Sequence, residues 1–175
     1  MDDMMARDAA MTALILGFFA SAWFGWAQEA PPAGWVTWLH IGSFAGLAIA
    51  VVGGILAWRH WSDGSVLGEP GAMRRYGIIV GIEFAACLLG ALALGLSGHS
   101  RYIAVWVAFV VGVHFLPIAP VLANNLLIPL GVVMVIGAAV GLIVGLRANL
   151  MPSAITGVIC GSALIVAAVV PLASN

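Results

Sequence analysis

The sequence predicts an all-α polytopic membrane protein, a bundle of six transmembrane helices. Three observations carry that expectation. First, 63% of the 175 residues are hydrophobic and only 7% are charged. A water-facing surface needs far more charge, since soluble domains carry about 25%. Second, the mean hydropathy is +1.15, which suits side chains that face lipid. Third, polar breaks divide the chain into apolar runs of the length a bilayer requires, about 20 residues each. Six such runs leave only short connections, so a single transmembrane domain over residues 1–175 is expected.

The first run covers residues 9–27 and ends at Gln28-Glu29, before Pro31-Pro32. A cleaved secretory signal is the competing reading, because Ala27 and Ala30 sit near a plausible cleavage region. The leader Met1 to Asp8 argues against it: it holds three Asp and one Arg, where a signal peptide carries positive charge. The second run covers residues 35–58 and leads into the longest connection, which opens Arg59-His60-Trp61-Ser62-Asp63-Gly64. The third, residues 76–96, is interrupted by Glu83 and closed by the polar turn Ser97-Gly98-His99-Ser100-Arg101.

Residues 102–146 contain no Asp, Glu, Lys or Arg. That is too long for one span and right for two, divided at Ala123-Asn124-Asn125 among Pro117, Pro120 and Pro129. The expected helices are 102–122 and 126–146, with Asn125 as an N-cap for the latter. Arg147-Ala148-Asn149 ends the fifth run, and Pro152-Ser153 opens the sixth, residues 154–172.

Arg placement sets orientation. With the N-terminus inside, Arg7, Arg59, Arg74 and Arg75 fall on the inner side, against Arg101 and Arg147 outside. Both termini are therefore expected in the cytoplasm. Trp23, Trp26, Trp35, Trp38, Trp58 and Trp61 lie near span ends, where indole rings anchor at the interface. Glycines at four-residue spacing (Gly42/Gly46, Gly77/Gly81, Gly137/Gly141/Gly145 and Gly157/Gly161) predict close helix packing within the bundle. No repeat relates the two halves, so an inverted-repeat transporter gains no support.

Glu83 is the most informative residue. A carboxylate inside a span costs a few kcal/mol, so it faces protein and has a partner or a function. His114 lies at a similar depth on the next helix, which runs antiparallel through a short turn. Pro117 and Pro120 cannot donate to the carbonyls of Val113 and Leu116, and both carbonyls flank His114. Glu83, His114 and the carbonyls of Val113 and Leu116 are thus the candidate ligand- or proton-binding niche. The alternative is a Glu–His contact that only fixes helix register.

The stretch Val110-Val111-Gly112-Val113-His114-Phe115-Leu116-Pro117-Ile118-Ala119 resembles one found in uncharacterised small bacterial multi-helix integral membrane proteins. That resemblance covers about ten residues and implies a bacterial inner-membrane setting but no activity.

His40, near the opposite interface, could rim a vestibule with His99, Arg101 and Tyr102, although a histidine beside Trp35 and Trp38 also reads as an anchor. His40 and His114 differ in depth by roughly 10 Å at helical rise, which disfavours a bis-histidine haem. No HExxH or second acidic-histidine cluster points to zinc, so neither a cofactor nor a metal is expected. Gly95-Leu96-Ser97-Gly98-His99 lacks the acidic partner a serine nucleophile needs. Six Arg and no Lys exclude a nucleic-acid footprint. Cys87 and Cys160 lie in apolar runs and predict no disulfide.

Three functions remain open at this stage. The leading one is a small channel- or transporter-like protein with Glu83 and His114 as a proton- or cation-responsive site, working as a homo-oligomer. The others are an intramembrane enzyme on a lipid-soluble substrate, and a non-catalytic membrane subunit. The lipid bilayer is the expected partner, and the small ligand or ion is left unspecified.

Overall fold

The computed structural model describes residues 5–148 and 150–173. Its elements are α1 (Ala6–Trp26), α2 (Val36–Arg59), α3 (Ala72–Leu96), α4 (Ile103–Val121), α5 (Leu127–Arg147) and α6 (Pro152–Ala173). Short 3-10 turns at Val66–Gly68 and Ser100–Tyr102 precede α3 and α4. All six α-helices are long and apolar enough to cross a membrane, so the chain is a multi-pass membrane protein.

Several ends depart from expectation for local reasons. α1 starts at Ala6, ahead of the apolar run, because its two charged residues are used. Arg7 donates to the Trp61 carbonyl at 3.1 Å and lies 3.9 Å from the Trp61 ring centroid. Asp8 accepts from the Val66 N–H at 2.9 Å and adds negative charge to the first turn. Residues 1–4 of the leader lie outside the described residues. α3 begins at Ala72, four residues early, because Arg74 and Arg75 are good helix formers. Gly71 supplies the left-handed backbone before it, with φ 77°. α6 opens on Pro152, a favoured first helical position. α5 ends at Arg147, and the Asn149 of the expected stop lies outside the described residues.

Asn125 is not the cap of α5. The cap position is Leu126, which makes no side-chain capping hydrogen bond; the chain reverses at Ala123, with φ 48°, and the buried Asn124 ties down the turn that follows. Its side-chain oxygen accepts from Leu126 N–H at 3.1 Å, and its carbonyl accepts from Leu127 N–H at 3.2 Å.

In space, the helices follow the order α2, α1, α6, α5, α4, α3, with α6 also touching α4 and α2. The core comes from α1, α4, α5 and α6, with Leu16, Phe115, Leu130, Met134 and Leu164 among its buried side chains. Backbone proximity replaces side-chain bulk at the glycines. A Cβ on Gly46 of α2 would come within 2.8 Å of the Gly17 carbonyl of α1, and one on Gly157 of α6 within 2.6 Å of the Trp23 carbonyl. Nearby, Ser43 donates to the Ser21 carbonyl at 2.9 Å. Gly137, Gly141 and Gly145 of α5 receive Ile159, Thr156 and Pro152 of α6.

Two packing expectations are corrected. Gly77 and Gly81 have no neighbour within 4 Å of a would-be Cβ, because α3 packs chiefly against α4 and turns this face outward. Trp23 is no lipid-facing anchor: it is buried in the core and stacks on Trp26 with centroids 5.4 Å apart. Trp38 and Trp58 are 71% and 79% exposed, as interfacial rings are.

Candidate functional site

α3 and α4 form an antiparallel hairpin through residues 97–102, which brings the two polar mid-span residues to the same level. Glu83 lies eight residues beyond Arg75, about 12 Å along α3 at helical rise; His114 lies seven residues before the end of α4, about 10 Å. The two side chains meet. His114 Nδ1 is 2.7 Å from a Glu83 carboxylate oxygen, with 10% and 15% of the respective side chains exposed. The ring N–H does not aim at that oxygen, and Nδ1 makes no directed hydrogen bond. The contact is therefore a close approach held by helix packing rather than by ideal hydrogen-bond geometry. Phe115 sets its ring edge-on to the imidazole, with centroids 5.3 Å apart. Cys87 lies one turn further along α3.

The net charge of the pair depends on how many protons it carries. With one proton it is net neutral, whether written as carboxylate–imidazolium or acid–imidazole. A second proton leaves an uncompensated imidazolium, and none leaves an uncompensated carboxylate. Either net charge is costly in an apolar surrounding.

The rest of the expected niche is partly assembled. α4 stays helical through Pro117 and Pro120, so the proline nitrogens still deny a donor to Val113 and Leu116. The Val113 and Leu116 side chains themselves point outward, 42% and 46% exposed, and take no part in the contact.

The vestibule residues do not gather as one set. Arg101 and Tyr102 stand together, with the guanidinium 5.4 Å from the Tyr102 centroid. Arg101 Nη2 donates to the carbonyls of Gly145 and Leu150, at 3.2 and 3.3 Å. His99 sits two residues away and pairs with Ser97 Oγ at 3.2 Å. His40 belongs to α2, which packs on α1 and α6, and its exposed ring is joined to none of the other three. Among the described residues, no three His, Cys, Asp or Glu side chains gather as metal ligands.

One polar joint escaped the sequence reading. Trp106 of α4 donates its indole N–H to the Ala86 carbonyl of α3 at 3.0 Å, and the glycine at position 90 leaves room for the ring. The signal was present in the sequence: Trp106 is the one tryptophan well separated from the span-end clusters. Its partner is a main-chain oxygen, which no residue pattern announces.

No family model, curated protein or solved structure matches this chain. Fold and site together define a six-helix membrane protein with an acid–imidazole pair in mid-span.

Proposed function

We propose that the chain is a small channel- or transporter-like protein in which Glu83 and His114 form a proton- or cation-responsive site. The observation behind this reading is the 2.7 Å approach of a carboxylate and an imidazole, both largely enclosed, within membrane-spanning helices. Gain or loss of a proton changes the net charge at a contact between α4 and the peripheral helix α3. Charge state is thereby coupled to how tightly α3 is held. Because α3 packs chiefly against α4, it is the helix most readily displaced. A bundle this small works in transport as a homo-oligomer on this reading. The proposed setting is a bacterial inner membrane with both termini cytoplasmic, following the four-to-two Arg bias.

Proteoliposomes carrying an internal pH dye test the idea. Under an imposed ion or pH gradient, wild type is expected to pass protons or cations faster than protein-free vesicles, and Glu83→Gln to abolish the difference. Equal flux in wild type and Glu83→Gln would overturn the reading.

A second reading, a non-catalytic membrane subunit, draws on one feature: the outward face of α3, with Gly77 and Gly81 uncovered. Such a subunit would show no flux in the same vesicles. An intramembrane enzyme would need the acid and base to face a substrate cavity.

A further inference from the structure

Where α3, α4 and α5 converge, at the end of the bundle carrying residues 97–102, they leave a lipid-facing groove of about 400 Å³. Leu94, Tyr102, Trp106, Phe109, Ala139 and Leu142 contribute to its lining, which is almost wholly carbon. From Tyr102 to Phe109 is seven residues of helix, so the groove descends about 10 Å from the interface toward mid-membrane. Its volume falls within the roughly 300–1,000 Å³ of small-molecule sites.

The mouth differs from the walls. Tyr102 stands there beside the Arg101 guanidinium. The two backbone carbonyls that hold Arg101 are both bonded through Nη2, which fixes the side chain while leaving donors at Nε and Nη1. A fixed cation beside a tyrosine that lines an apolar slot complements one kind of molecule, an anionic amphiphile with its charge at the interface. We propose that this groove binds one acyl chain of an anionic phospholipid, with the lipid phosphate seated at Arg101. The site is independent of the Glu83–His114 reading, since neither residue lines it.

Delipidated protein in detergent, titrated with phosphatidylglycerol or with phosphatidylcholine of the same chains, tests the proposal by native mass spectrometry. Wild type is expected to retain one phosphatidylglycerol per chain and to prefer it about fivefold, the usual effect of one basic residue at an anionic membrane surface. Ala139→Trp, at an exposed position on the groove wall, fills the slot and should release both lipids. Leu142→Trp, also exposed, is a second plug should the first fail to fold. Arg101→Gln should leave chain binding intact and equalise the two lipids, whereas Arg101→Lys should keep a preference. Glycerol phosphate, which has the charge and no chain, should not be retained. Equal retention of the two lipids by wild type, or undiminished retention in a folded plugged variant, would overturn the proposal.

Discussion

The indole N–H of Trp106 reaches across to the main-chain oxygen of Ala86, 3.0 Å away, and bolts α4 to α3 less than one turn from Glu83. The ring lies against Gly90, where any Cβ would collide with it. Trp106→Phe should therefore cost about 1 kcal/mol, the net worth of one hydrogen bond, and Gly90→Val more, because it displaces the whole ring. Thermal unfolding in detergent checks the order. Gly90→Val as stable as wild type would mean that the α3–α4 contact forms without the ring in this place.

Glycines that look alike in sequence should respond differently. Gly46→Val forces a side chain against the α1 backbone, where Cβ alone would come within 2.8 Å of the Gly17 carbonyl, so a loss of about 1–3 kcal/mol is expected from overpacking. Gly81→Ala meets nothing and, by helix propensity, should stabilise by up to about 1 kcal/mol. Both can be read from melting curves in detergent. A destabilised Gly81→Ala would place another surface against α3.

Much of the fold was legible because lipid imposes a simple rule: about 20 apolar residues per span, with polar residues between. The rule fails at ends such as Ala6 and Ala72, where Arg7, Asp8, Arg74 and Arg75 are helical despite their charge. It is also blind to which glycine stripe is covered. Gly77/Gly81 and Gly137/Gly141 share a spacing, yet only the latter faces a neighbour. For the site, Glu83 and His114 were legible because ionisable residues stand out in apolar runs and a hairpin equalises their depth. Trp106–Ala86 was not, since half of it is backbone. Nor was the separation of His40 from Arg101, which follows from α2 packing on α1 and α6.

Orientation should be readable at the longest connection. Ser65, in the turn between α2 and α3, is expected on the cytoplasmic side with Arg59, Arg74 and Arg75. In a background with Cys87 and Cys160 replaced, Ser65→Cys should resist a membrane-impermeant thiol reagent in intact cells and react after permeabilisation. Ser100→Cys, at the opposite end of α3, should react in intact cells. The reverse pattern would invert the topology.

The central claim is that Glu83 and His114 act as one unit, joined at 2.7 Å across α3 and α4. A double-mutant cycle of thermal stability in detergent tests it most directly, with wild type, Glu83→Gln, His114→Gln and the double variant. Each single Gln variant leaves one ionisable side chain in an apolar surrounding without its counterpart, whereas the double variant leaves neither. The double variant should therefore be more stable than the two single losses predict, by about 0.5–3 kcal/mol. Strictly additive losses would contradict the account and leave the pair as packing alone.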